Sequence, residues 1–277
     1  MDNRPIGIFD SGLGGLTVVK EIANQLPNEE IIYFGDTARF PYGPRSSVEI
    51  RGFVFEIIDF LLLHDVKFIV IACNSASAAA LEVVQQYYNV PIIGVIEPGA
   101  RAAVQATRSR RVGVIGTQAT ISSGSYIGAI KVVDAGVQVH SLACPDLADF
   151  VERNEITGPR VERAIQWYLD PLIRAGIDSL ILGCTHYPLL SETISKVAGD
   201  GVKLISSAKE TARELKEFLI RKDNLRQEKV PPISRFVSSG DEDVFRELGA
   251  RFLGREIESV DRISFPLQER VAGIEKG

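Results

Sequence analysis

Phe68-Ile69-Val70-Ile71-Ala72-Cys73-Asn74-Ser75 and Leu180-Ile181-Leu182-Gly183-Cys184-Thr185-His186 share one design: a short apolar run that stops at a thiol and then turns polar. Each run is too brief for a helix and has the unbroken apolar character of a parallel strand buried on both faces. Residues just beyond the carboxyl end of such a strand are where open α/β sheets place ligands. Two strand-end thiols, one from each half of the chain, can therefore approach one bound molecule from opposite sides. That arrangement suits moving a proton off one face of a carbon and onto the other.

Around these runs the chain alternates β-type and helical segments. Ile6-Gly7-Ile8-Phe9 and Ile31-Ile32-Tyr33-Phe34 read as strands, and Val18, Val19, Ile22, Ala23 and Leu26 recur at helical spacing between them. Ile50, Phe53, Val54, Ile57, Ile58 and Leu61 mark a further helix, and an Ala-rich helix leads from Cys73 to the strand Pro91-Ile92-Ile93-Gly94-Val95. This order predicts mostly parallel sheets with helices on both faces. A second cycle opens at Arg111-Val112-Gly113-Val114-Ile115-Gly116-Thr117. Gly113 stands 106 positions after Gly7, and Cys184 stands 111 after Cys73. The near-equal offsets suggest a repeated unit, hence two α/β domains about a pseudo-twofold axis with the site in the cleft between them. We place the first domain at residues 1–97 plus a returning tail, 208–277, and the second at 98–207. In the tail, Thr211, Leu215, Phe218 and Leu219 fit a helix, Arg221 to Lys229 form a charged connector, and Phe236-Val237-Ser238-Ser239-Gly240-Asp241 reads as a last strand and turn.

Composition narrows the function. The 277 residues are 45% hydrophobic and 24% charged, ordinary for a soluble globular protein. A net charge of −5 gives no electrostatic reason for nucleic acid or an acidic membrane. The small Arg108, Arg110, Arg111 cluster reads as a solvated loop. No apolar stretch reaches the roughly 20 residues that cross a bilayer, and Asp2 and Pro5 replace the basic-then-apolar start of a signal peptide. Three cysteines without a CxxC pair fit reduced thiols in a cytoplasm.

Several segments can carry chemistry. Asp10-Ser11-Gly12-Leu13-Gly14-Gly15-Leu16-Thr17 follows a strand and opens a helix. Its glycines can bring backbone N–H groups to a small carboxylate; as a plain turn it would use Asp10 or Ser11 as N-cap. It is not a dinucleotide fingerprint, because Thr17 stands where the third glycine belongs. Pro41-Tyr42-Gly43 would form a stiff turn that exposes N–H groups and a phenol at the sheet's edge. A free thiol titrates near 8.5, so thiol and thiolate are both accessible with modest tuning. His186, Asp10 and Glu152 can assist as proton partners, whereas Cys144, before Pro145, reads as structural. Zinc is disfavoured by the scattered His64, His140 and His186. A cysteine hydrolase built on Cys184 would leave Cys73 idle, and no lysine, Lys20 included, is singled out for a Schiff base.

Together with Gly35-Asp36, Ala76-Ser77, Gly94-Val95-Ile96-Glu97-Pro98-Gly99-Ala100, Gly116-Thr117 with Thr120, and Tyr187-Pro188, these motifs resemble the glutamate racemases of the aspartate/glutamate racemase family over nearly the whole chain. The resemblance implies two pseudo-symmetric α/β domains and a cofactor-independent isomerase that interconverts L- and D-glutamate. It implies a role in cytoplasmic supply of D-glutamate for peptidoglycan, and thus for cell wall and cell shape. Cys73 would act on the proton of D-glutamate and Cys184 on that of L-glutamate, assisted by Asp10, His186 and Glu152. Substrate contacts would fall to Asp10, Ser11, Pro41, Tyr42, Gly43, Asn74, Ser75, Thr117, Thr120, Thr185 and His186. No cofactor, metal, nucleic acid or membrane is expected, and a homodimer is left open. Two departures stand out: Ala38-Arg39-Phe40 before Pro-Tyr-Gly, and the looser Cys144–Phe150 approach to Glu152. Racemisation of aspartate or another amino acid, and a two-lobed amino-acid-binding protein with packed cysteines, remain the alternatives.

Overall fold

The computed structural model describes residues 1–228 and 230–265; Lys229 of the connector and residues 266–277 of the tail lie outside the described residues. The first half runs β1 (Ile6–Asp10), α1 (Leu16–Gln25), β2 (Ile31–Gly35), α2 (Ser47–Leu62), β3 (Phe68–Ile71), α3 (Asn74–Tyr87) and β4 (Ile92–Gly94). The second runs α4 (Ile96–Ala106), β5 (Arg111–Gly116), α5 (Gln118–Ser122), α6 (Ser125–Val133), β6 (Gln138–Ala143), α7 (Pro145–Glu152), α8 (Pro159–Arg174), β7 (Ser179–Gly183), α9 (Ser191–Ala198) and β8 (Lys203–Ser206). The tail adds α10 (Ser207–Arg221), β9 (Ser234–Ser238), α11 (Glu242–Leu253) and β10 (Asp261–Arg262).

Two sheets result, one ordered β10-β9-β2-β1-β3-β4 and the other β6-β5-β7-β8. Every strand pairing in both is parallel. The order β2-β1-β3-β4 reappears as β6-β5-β7-β8, and the register repeats with it. Gly7 faces Ile69 as Gly113 faces Leu180, so the offsets of 106 and 111 belong to neighbouring strands of one repeated unit. The tail returns to the first sheet, where β9 pairs with β2. The segment expected to be the last strand is followed by the short β10, whose two residues are too few to leave a periodic signal.

Alternation along the strands sends side chains to two faces. On β1, Ile6 and Ile8 join a core under α1, while Phe9 joins the opposite one under α2 and α3, with Val54, Ile57, Ile58 and Val84. On β5, Val112 and Val114 pack under α4 and α6, and Ile115 points to the other face. The α1-side core continues past Leu215 and Leu219 of α10 to Leu180 and Leu182 of β7, so one apolar body spans both sheets. Burying each such Val, Leu or Ile contributes about 1.5–3 kcal/mol. The carboxyl ends of both sheets thereby face a common cleft.

Candidate active site

A cavity of about 470 Å³ lies in that cleft, within the range of small-molecule sites. Six strand ends supply its wall: Ser11 after β1, the Phe40–Pro44 turn after β2, Cys73, Asn74 and Ser75 after β3, Thr117 and Gln118 after β5, Pro145, Ala148 and Asp149 after β6, and Cys184, Thr185 and His186 after β7. Cys73 and Cys184 thus enter one cavity from corresponding strands of the two halves. Both are free and buried.

Their surroundings differ. The Cys73 sulfur caps α3, accepting from the Ala76 N–H at 3.5 Å, and meets the Ser11 hydroxyl at 3.6 Å. Burial, followed by the neighbouring Asp10 carboxylate, pushes this thiol up to about 12. The Cys184 sulfur lies 3.8 Å from His186 Nδ1, and His186 Nε2 meets Glu152 Oε1 at 2.6 Å. Burial alone would lower the imidazole, but contact with Cys184 and Glu152 outweighs it and holds His186 up to about 10. These contacts favour the imidazolium form, whose Nδ1 lies 3.8 Å from the Cys184 sulfur.

Asp10 is fully buried and bridges the halves, its Oδ1 accepting from the Thr185 hydroxyl at 3.3 Å. Burial raises its carboxyl above the usual range, opposed by His186 and by the N–H groups of Gly12 and Gly15. The glycine-rich loop therefore wraps the protein's own carboxylate, with Gly12 N–H donating to Asp10 Oδ2 at 3.0 Å. Neither Asp10 nor Ser11 is a helix N-cap. That position is Gly15, with no capping side chain. The glycines serve close approach: a Cβ on Gly14 would sit 2.3 Å from Thr185 Oγ1, and one on Gly15 would sit 2.4 Å from Asp10 Cβ.

Across the cleft, the Ser75 hydroxyl meets Thr117 at 2.9 Å and Thr120 at 3.3 Å. Gly43 C=O accepts from Ala119 N–H at 3.1 Å. Asn74 accepts from the Tyr126 hydroxyl at 2.7 Å, which turns its amide so that Nδ2 is a buried donor with no partner among the described residues. An unpaired buried donor in a cavity wall calls for an acceptor on the ligand.

The expected exposed phenol of Tyr42 is corrected. The ring is buried and its hydroxyl donates to Asp36, which also takes Arg39 Nε at 2.7 Å, so Tyr42 lines the cavity with the rest of its turn while its hydroxyl is engaged inside the protein. Asp10, Thr120 and Glu152 stand one layer behind the wall, each hydrogen-bonded to a residue that lines it. Two aromatic neighbours of His186 escaped the sequence reading. Phe40 lies 5.6 Å from it, centroid to centroid, and Phe252 of α11 lies 5.3 Å away. Phe40 was legible only as the residue before Pro41, and nothing local in the sequence links Phe252 to a histidine so far away in the chain. Among the described residues, no cluster of three His, Cys, Asp or Glu side chains is placed to hold a metal ion. No helix there is long and apolar enough to cross a membrane.

Residues 6–215 match the family model of Asp/Glu/hydantoin racemases. The chain belongs to that family. Membership makes it an isomerase of the amino-acid racemase type. The glutamate racemase of Beutenbergia cavernae is 48% identical over 272 residues, covering 94% of this chain and 93% of its own. The crystal structure of the Bacillus anthracis isoform RacE1 superposes with a TM-score of 0.92 at 46% identity, covering 97% of this chain and 100% of the other. The Francisella tularensis enzyme, solved in complex with D-glutamate, gives a TM-score of 0.89 at 39% identity over 95% of this chain and 98% of its own. The family match takes in β1 to β8 and every strand end that lines the cavity.

Proposed function

We propose that this protein interconverts L- and D-glutamate without a cofactor, through two thiols acting on opposite faces of the α-carbon. The observation that carries the reading is that Cys73 and Cys184 reach one cavity from corresponding strand ends of the two halves. The glutamate racemases it resembles, one of them holding D-glutamate, support the choice of substrate.

In the L-to-D direction the Cys184 thiolate, beside the His186 cation, takes the α-hydrogen as a proton. The C–H electron pair stays on the substrate and spreads into the α-carboxylate, for which Asn74 Nδ2 and the Ser11 hydroxyl are the available donors. The Cys73 thiol, held protonated by burial, then delivers its proton to the other face and is left as thiolate. The D-to-L direction reverses both transfers. Asp10, behind both Ser11 and Thr185, and Glu152, behind His186, act as positioning groups. On this reading the two domains are residues 1–97 with 208–277 and residues 98–207, with substrate held between them. The product D-glutamate would serve peptidoglycan synthesis in the cytoplasm, where the three thiols stay reduced.

Cys73→Ala and Cys184→Ala test this. Each should lower racemisation, followed by loss of optical rotation of L-glutamate, by about 10²–10⁴-fold or more. Folding should survive, since losing one buried sulfur, or the α3 cap it provides, costs about 1 kcal/mol. In deuterated water, D-glutamate formed early from L-glutamate should carry α-deuterium while the remaining L-glutamate stays protiated. Near-normal turnover by either variant, or early equal labelling of both pools, defeats the two-thiol mechanism.

A further inference from the structure

The residues that match the racemase family model end at 215, yet a side chain from beyond them reaches the catalytic centre. Helix α11 presents Phe245, Gly249 and Phe252 on one buried face. Phe245 packs on Tyr33, ring centroids 6.1 Å apart, and the Tyr33 hydroxyl donates to Gly12 C=O at 2.7 Å. At Gly249 the helix presses on α1: a Cβ there would lie 3.0 Å from Leu16 Cδ1. This seating carries Phe252, 4% exposed, to the His186 ring at 5.3 Å and 79°.

His186 has a demanding task. Nε2 must meet Glu152 and Nδ1 must meet Cys184 in one orientation, and the sulfur contact at 3.8 Å is the longer of the two. The two hydrogen bonds fix an axis through the ring without fixing rotation about it. Phe40 at 30° and Phe252 at 79° supply the flanks that set the plane. Aromatic rings also favour a cation beside them.

We propose that Phe252 is a positioning residue for proton transfer at Cys184, holding the His186 ring in the plane that serves both Glu152 and the thiol. The inference rests on the two-thiol reading above. Phe252 does not itself line the substrate cavity but packs on His186, which does, so its effect passes through that ring.

The test uses Phe252→Leu, which keeps apolar volume and removes the ring, with Phe252→Met as a second filling variant should the first fold poorly. Thermal unfolding establishes that the variant is native. Because the two enantiomers are equally stable, kcat/KM must fall by the same factor in both directions, about 3- to 30-fold for a lost aromatic contact to a cation. The kinetic isotope effects separate the thiols. If transfer at Cys184 becomes more limiting, the effect on α-deuterated L-glutamate rises and that on α-deuterated D-glutamate falls. In a His186→Asn background the Leu substitution should cost nothing further. Unmoved isotope effects, or a loss that adds in full to that of His186→Asn, would mean that Phe252 only fills the core. Activity retained by Cys184→Ala would instead defeat the underlying mechanism, so the two failures are distinguishable.

Discussion

Single residues set the protonation state in which this site waits. His186 is held up to about 10 against a reference of 6.5, despite burial, by Cys184 and Glu152. Between those values the native protein keeps a proton that the unfolded chain has released. The resulting stabilisation is complete below about 6.5 and is lost as pH rises toward 10, at no more than about 1.4 kcal/mol per pH unit for one proton. Cys73, raised from 9.0 to about 12, contributes a loss of the same sign above pH 9, so the window from 7 to 8.5 isolates the histidine. Urea unfolding of Cys184→Ala, in which no thiolate offsets the proton that Glu152 helps His186 keep, should therefore show stability declining across that window, and adding His186→Asn should flatten the decline. Equal slopes would mean that the imidazole is neutral in the folded protein. The histidine itself was legible, being polar and two residues past a strand-end thiol. Its charge was not, because that depends also on Glu152, which neighbours it only in space.

Among the elements, the strands and their ends were the readable part. Strand core composition and the recurrence of Gly7 as Gly113 announced a repeat that the sheet orders display. What the loops are for was less readable, because a glycine-rich turn looks alike whether it cradles a ligand or lets two pieces of protein touch. Here Gly14 lies against Thr185 and His186, and the N–H of Gly12 is taken by Asp10. Tyr42 was misread for the same reason: a tyrosine in a turn gives no sign that Asp36 will receive its hydroxyl inside the protein. Gly14→Ala would put a methyl 2.3 Å from Thr185 Oγ1 and 2.6 Å from His186 Nδ1. It should destabilise by about 1–3 kcal/mol as an overpacked contact, and displacing His186 by a fraction of an ångström should cost up to about 10²-fold in turnover. Gly128→Ala is the control: its Cβ would meet nothing within 4 Å in α6. That change should leave activity alone and add up to about 1 kcal/mol of stability from helix propensity. Equal effects of the two substitutions, measured by denaturant melts and initial rates, would refute the close-approach role of the loop.

At the scale of the whole molecule, the cleft is closed by contacts that no single half can make. Asp10 takes the Thr185 hydroxyl, Ser75 meets Thr117, and Gly43 receives the N–H of Ala119, all between strand ends of different sheets. The shared core under α1 joins the halves behind the site, so a ligand between them draws on donors from both. Binding should then stabilise the molecule as one unit. On the two-thiol reading, a protein with both Cys73→Ala and Cys184→Ala turns no substrate over, so its unfolding is followed at equilibrium with either enantiomer. At a hundred times its dissociation constant, each should add about 2.7 kcal/mol to the free energy of unfolding in one cooperative transition. L-alanine at the same concentration should add almost nothing, because it offers no second carboxylate and leaves buried donors unpaired. A transition that splits in two with glutamate present, or a shift with alanine equal to that with glutamate, would contradict a substrate held jointly by both halves through its two carboxylates.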